Sequence, residues 1–376
     1  MKLEIHTVEE LLSHFDEHDN VNNIVVQGLD LQAHTELLCK CTAAGAVFLG
    51  CTMAPEAAEF LRDGGALLFP PMPDLPFEPY RPELYTVAEL MHGYDRGNPS
   101  SYVSSIDQRI YQHFDSMRVR PEPVPIIQAL AQRLHDHAID NALDEFLHGD
   151  SPRRVVAIMG GHSMKRTEPA YRDVARIAAE LSHRGYTMAS GGGPGAMEAT
   201  HLGAYLAGPG ADEQIDEALG ILVNAPDYKH PGWLDTAFDV RDRFAQASES
   251  LGVPTWFYGH EPPNLFASHI AKYFSNSLRE DGLLAIAKHG VIYSPGSAGT
   301  IQEIFMDATQ NHYGTFSEVS PMVLLGRSYW TENKPVLPLL RKLAGDRQYA
   351  SLITICDTVD EAVDYIVNHP PVAYTG

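Results

Sequence analysis

The sequence predicts an α/β protein, a doubly wound parallel sheet of the Rossmann-like kind with a smaller N-terminal α/β unit and a helical connector in front of it. Three observations carry that expectation. From Arg154 onward, apolar strand-like runs alternate strictly with helical stretches, the pattern of a parallel sheet covered on both faces. Two of those runs end in glycine-rich turns that open directly into helices, SGGGPGAMEA and SPGSAGTIQEIF, as crevice-lining turns of such sheets do. With 376 residues, and roughly 100–200 per domain, two domains are the natural division.

Taken in order, residues 1–68 alternate apolar runs with helical stretches (NIVVQGL, TELLCKCTAAG, AVFLGC, PEAAEFLRDGG, ALLF) and read as a β-α-β-α-β unit. Pro70, Pro71, Pro73, Pro76, Pro79 and Pro82 follow. Ring-locked residues without N–H donors continue neither a helix nor a central strand, so this segment reads as an extended connector. The periodicity turns helical from Ser104 to about Leu147 and breaks at HGDSPRR, which places the division at residues 1–150 and 151–376. In the second part the expected strands are VVAIMG, YTMAS, ALGILV, LLAIA, GVIYSP and PMVLLG. The stretch from about Asn224 to Ser268 reads as a long insertion of the kind that forms substrate lids. No internal repeat is evident.

Composition narrows the function classes. Residues are 44% hydrophobic and 20% charged, as in an ordinary globular chain. Lys+Arg 27 against Asp+Glu 49 leaves a net charge of −22, which repels phosphate backbones and anionic membranes. Nucleic-acid and membrane partners are therefore not expected, and a phosphate on a small ligand must meet local amides or a few placed cations. Four cysteines, Cys39, Cys41, Cys51 and Cys356, lack paired C-x-x-C spacing and are too sparse for a disulfide scaffold. The opening MKLEIHTVEELLSHF has acidic residues where a signal peptide needs a basic flank and an apolar run. A cytoplasmic chain is expected. His135 and His137, two apart on a helix, point to different faces and make no chelate, so surface positions are the simpler reading; no metal and no cofactor is expected.

The two turns carry the chemistry. In the first, Gly191, Gly192, Gly193 and Gly195 let the backbone come close to a ligand, and the free N–H groups of the helix that starts there favour an anion. In the second, Gly296, Ser297, Ala298, Gly299 and Thr300 present successive N–H groups and a hydroxyl to a phosphate, without the lysine of a P-loop. Glu303 falls one turn into that helix, where the plainer role is that of a dipole partner worth ~0.3–1 kcal/mol. Turns that follow strands of one parallel sheet line a common crevice. A nucleotide suits it, with its phosphate on one turn and the remainder on the other.

The stretch from Arg154 to about Ala344 resembles the Lonely Guy (LOG) family of nucleoside 5′-monophosphate phosphoribohydrolases, often mislabelled lysine decarboxylases. The family's S/T-GGGPGxMEA turn is matched by SGGGPGAMEA, and its PGGxGTxxE turn by PGSAGTIQE, with Ser297 at the second glycine. Its upstream arginine corresponds to Arg279, sixteen residues before Pro295 (295 − 279 = 16). The resemblance implies hydrolysis of the N-glycosidic bond of a nucleoside 5′-monophosphate to free base and ribose 5-phosphate. It makes Glu303 the carboxylate that stabilises an oxocarbenium-like sugar or orients water, and Arg279 the cation beside it. Met197 joins the glycines at the substrate, and Glu198 either accepts ribose hydroxyls or serves the helix dipole. Gly160, Gly161 and Ser163 of MGGHSMKR belong to the same pocket. A homodimer or higher homo-oligomer is implied too.

Other readings compete. HEPPN resembles the family's substrate-side segment, which brings in Glu261 and Asn264. Tyr228, Trp233, Trp256 and Phe257 either stack on a base or pack a core. A nicotinamide oxidoreductase needs a conventional turn after the first strand, and MGGHSMKR is not one. No lysine stands in the setting of a pyridoxal Schiff base. The rival from another class is a sensor that holds a nucleotide without cleaving it.

Overall fold

The computed structural model describes residues 3–119, 123–149, 151–258 and 262–375. The chain divides into two compact units, Met1–Leu84 with Arg120–Glu145, and Tyr85–Val119 with Phe146–Gly376.

The first unit winds β1 (Glu4–Ile5), α1 (Val8–Glu17), β2 (Val25–Gln27), α2 (Thr35–Leu38), β3 (Val47–Leu49), α3 (Pro55–Asp63) and β4 (Leu67–Phe69). Its strands are all parallel and lie side by side in chain order. Alternation along each strand gives the sheet two faces. Val26 and Phe48 join Leu11, Leu38, Ala57 and Leu61 of the three helices in one core, while Val25, Val47 and Leu67 are aligned with one another in the ladder. Successive strands therefore advance by 22 and 20 residues (47 − 25 and 67 − 47), a coil-like geometric repeat that the side chains do not advertise. Thr7 and Glu10 close a capping box at the start of α1, which fixes where the first helix begins.

Between the two segments of this unit, α4 (Val87–Leu90) and α5 (Ile106–Arg118) belong to the second unit. After them, α6 (Ile126–His148) supplies Leu134, His137, Ala138 and Asn141 to a cavity of about 940 Å³ over the free face of the four-stranded sheet. His135 is fully buried against Phe77 rather than on the surface. The two rings meet edge to face with centroids 5.5 Å apart, so the imidazole packs on the proline-rich segment that carries Phe77.

The second unit runs β5 (Val155–Met159), α7 (Pro169–His183), β6 (Thr187–Ser190), α8 (Ala196–Tyr205), α9 (Ala211–Leu222), α10 (Trp233–Arg243), β7 (Ser250–Gly252), β8 (His269–Ile270), α11 (Asn276–Ile286), β9 (Val291–Tyr293), α12 (Ala298–Tyr313), β10 (Glu318–Val319), β11 (Met322–Leu325), α13 (Val336–Ala344), β12 (Ile353–Cys356), α14 (Val359–Asn368) and β13 (Val372–Ala373). Seven strands form one parallel sheet in the order β12-β11-β9-β5-β6-β7-β8; β10 and β13 pair separately and antiparallel. The order reverses between β5 and β9, the position where doubly wound sheets open a crevice.

Three expectations about elements are corrected. ALGILV lies in α9 and in the residue after it, and LLAIA lies at the end of α11. Each apolar run is the buried stripe of a helix: Ala218 and Leu222 in one case, Leu283 and Leu284 in the other. The supposed insertion after Asn224 holds α10 and the sheet strand β7, so it is partly framework. Asp107 of α5 anchors the connector inside this unit. Its carboxylate accepts hydrogen bonds from Lys272 Nζ (2.5 Å), Trp256 Nε1 (2.9 Å) and Tyr102 O–H (2.8 Å). A buried charge is tolerated when it is this fully paired.

Candidate functional site

The central strands β9, β5 and β6 end side by side, and each is followed by a turn. These turns interlock through the backbone. Gly161 N–H donates to Pro295 O (3.1 Å), and Gly161 O accepts from Ala196 N–H (3.2 Å). The middle turn thus ties together the two glycine-rich ones. Gly195 has φ +73° and packs so tightly on the Gly161 and His162 carbonyls that a Cβ there would overlap both. Only glycine meets both conditions cheaply. Gly191 leaves the space that Arg279 Nη2 and Met197 Sδ occupy, so a side chain at that position would push the guanidinium away.

The cleft has a volume of about 250 Å³ and is walled by Gly160, Gly161, Gly191, Gly192, Gly193 and Met197 on one side. Ser297, Gly299, Thr300 and Glu303 from the start of α12 face them, with Arg279 between. A helix start aimed into a cleft offers unpaired N–H donors to an anion. Arg279 Nε donates to Val253 O (2.8 Å), which fixes the guanidinium, and Nη1 stands 3.9 Å from Glu303 Oε1. Both side chains are 12–15% exposed. Burial pushes the Glu303 carboxyl up to about 7, against the pull of Arg279 and with a further push from Glu280. A carboxyl that titrates near neutrality in a cleft, beside one cation, is equipped for acid–base or electrostatic work.

Glu198 does not reach the cleft. It is 1% exposed and meets Arg166 through two hydrogen bonds, from Nε (2.9 Å) and Nη2 (2.5 Å), while Tyr171 O–H donates to it at 2.9 Å. Arg166 also donates to the Ala225 and Trp233 carbonyls. Of its two expected roles, ribose acceptor or partner of the helix dipole, the first-turn position fits the second, and the carboxylate is one half of a buried ion pair with Arg166. Gly195, Gly296, Ala298 and Ser163 support the turns without lining the cleft: Gly296 and Gly195 are buried, and Ala298 and Ser163 are exposed. Asn264 donates from its backbone to Gly192 O (2.8 Å) and from Nδ2 to Gly193 O (3.3 Å), bracing the first turn. His260 and Glu261 lie outside the described residues. Trp233 and Trp256 are core residues, 2% and 1% exposed.

Several lining residues escaped the sequence reading, namely His162, Pro254, Thr255, Tyr258, Glu280 and Gln302. Glu280 and Gln302 flank the Arg279 and Glu303 positions and bond to each other at 2.9 Å; adjacency to the motif residues was their only signal. Tyr329 O–H and Lys334 Nζ (3.3 Å) both donate to Gly296 O, which puts an ammonium against the outside of the second turn.

No family model matches the sequence, and no curated protein matches it. Solved structures do. The molybdenum cofactor binding protein from the phototrophic bacterium Rippkaea orientalis is 12% identical over 58% of this chain and 98% of its own, with a TM-score of 0.38. The Moco carrier protein from Chlamydomonas reinhardtii is 14% identical over 58% and 99%, with a TM-score of 0.35. The structural-genomics protein TM1055 is 20% identical over 57% and 99%, with a TM-score of 0.37. The seven-stranded parallel sheet, with its order reversing between β5 and β9, is by itself that of a Rossmann-like fold.

Proposed function

We propose that this chain hydrolyses the N-glycosidic bond of a nucleoside 5′-monophosphate, as its likeness to the Lonely Guy motifs implies. The observation that carries the reading is the meeting of Glu303 and Arg279 in one cleft whose two walls are the two glycine-rich turns. The phosphate meets the N–H groups at the start of α12, and the sugar lies toward Gly191–Gly193 and Met197. As the C1′–N bond breaks, positive charge grows on the sugar, and ionised Glu303 stabilises it while water adds at C1′. The base leaves and takes up a proton. Arg279 holds the phosphate or the carboxylate, and its anchor on Val253 limits the reorganisation required.

A second reading has one observation in its favour. Ser297 stands where the resembled family has glycine, and it lines the cleft immediately before α12. Its hydroxyl adds a donor for a bound phosphate, which serves a protein that retains nucleotide whether or not it cleaves it. Incubating the protein with a panel of purine and pyrimidine monophosphates, and resolving free bases by chromatography, separates the two. Release of one base supports the hydrolase; saturable binding without release supports the sensor.

A further inference from the structure

The nucleotide reading leaves the N-terminal unit unused, and one cluster there has its own chemistry. Residues two apart on an extended strand share a side, so Glu4 and His6, at and just after β1, project together. On α6, His137, Asn141 and Glu145 recur every four residues and form one stripe. Asn141 Nδ2 donates to Glu4 Oε1 at 3.2 Å, so stripe and strand meet. His6 Nε2 stands 3.8 Å from Glu4 Oε2 and 3.9 Å from Glu145 Oε1, beyond hydrogen-bond range. Both ring nitrogens of His6 are shielded from solvent and have no hydrogen-bond partner among the described residues. One donor atom from each of the three residues lies within 4.8 Å of the other two.

We propose that Glu4, His6 and Glu145 bind one divalent transition-metal ion of the zinc class. One imidazole and two carboxylates carry two negative charges against the ion's two positive ones. The nitrogen donor separates this set from the all-oxygen sites of Ca²⁺ and Mg²⁺. With metal–ligand distances of about 2.0–2.2 Å, tetrahedral donors lie roughly 3.4 Å apart, so the 3.8 and 3.9 Å gaps close by about half an ångström. Asn141 occupies Glu4 Oε1 and leaves Oε2 toward His6, the part that outer hydrogen bonds play at metal sites. Glu4 and Glu145 also line the 940 Å³ cavity, whose other walls include Val25, Val47 and Leu49. Three protein donors leave a fourth position, as at metal sites that take an exogenous ligand.

The full chain, stripped with a chelator, is titrated with Zn²⁺ by calorimetry and with Co²⁺ by absorption spectroscopy. One equivalent is expected to bind, and Co²⁺ should give visible bands without the near-ultraviolet band of a thiolate ligand. Glu4→Gln, Glu145→Gln and His6→Ala should each weaken binding at least tenfold, a loss no smaller than that from an outer-shell change. His183→Ala, at an exposed position in the other unit, should bind as the parent does. Zn²⁺ should also raise the melting temperature of the parent and not of the three variants. Absence of a saturable single equivalent, a thiolate band, or an affinity unchanged in all three variants overturns the proposal. If a variant fails to fold, the Co²⁺ spectrum of the parent decides alone.

Discussion

Glu303 is where the chemistry is most exposed to test, because its environment favours the neutral acid while its proposed task needs the anion. Its carboxyl is raised from about 4.5 to about 7 by burial, so between those values the folded state holds more protons than the unfolded chain. Stability therefore falls as pH rises through that window, by up to about 3 kcal/mol for a shift of this size. Asp307, also raised to about 7 by burial, adds to the same slope. Glu303→Gln should flatten the decline of the melting temperature between pH 5 and 8 without abolishing it. The activity of the parent should rise across the same range, following a group that titrates near 7. A pH–rate profile with no limb near 7 would count against an ionised Glu303. Glu198 gives the opposite lesson. It belongs to a buried pair, so Glu198→Ala should cost about 3–5 kcal/mol of stability by stranding Arg166. Chemical denaturation measures this; a loss below 1 kcal/mol would show that the pair is dispensable.

At the level of elements, the proposed function assigns phosphate recognition to the start of α12. A phosphate there gains N–H donors and the helix dipole, and a nucleoside lacks the group that uses them. AMP should accordingly raise the melting temperature well beyond adenosine at matched concentration; equal shifts would remove the phosphate site from α12. The strand, glycine turn and helix themselves were legible beforehand, because they are contiguous in the chain. VVAIMG, YTMAS, GVIYSP and PMVLLG became β5, β6, β9 and β11 for the same reason. ALGILV and LLAIA did not become strands, because a short apolar run fits a helix stripe and a buried strand equally well. Conversely β7 is the three residues Ser250–Gly252, too short and too polar at its ends to stand out. The ion pair of Glu198 was not legible because its partner Arg166 is 32 residues away, and nothing local records such a pairing. Tyr258 and Pro254 reach the cleft from loops, beyond any periodicity.

The whole molecule carries a net charge of −22, so an anionic substrate is repelled at long range and captured only by local groups. The proposed function therefore assigns the affinity for phosphate to the α12 turn and Arg279, and Arg279→Ala should weaken binding as well as turnover. Among the described residues no helix is long and apolar enough to cross a membrane. The motif resemblance points to a closed homo-oligomer, with a dimer the commonest form. Light scattering over a wide concentration range should return at least twice the 41.4 kDa chain mass; a constant monomer mass would exclude it.

The most direct measurement follows free base and ribose 5-phosphate together, for the parent and for Glu303→Gln, with the monophosphate that the parent cleaves best. The parent should release the two products in equal amounts and leave the matching nucleoside intact. Glu303→Gln should still bind the nucleotide but turn it over roughly 10²–10³-fold more slowly, the scale of losing one electrostatic stabiliser. Equal rates for the two proteins, or binding by the parent with no base released from any monophosphate, would contradict the account.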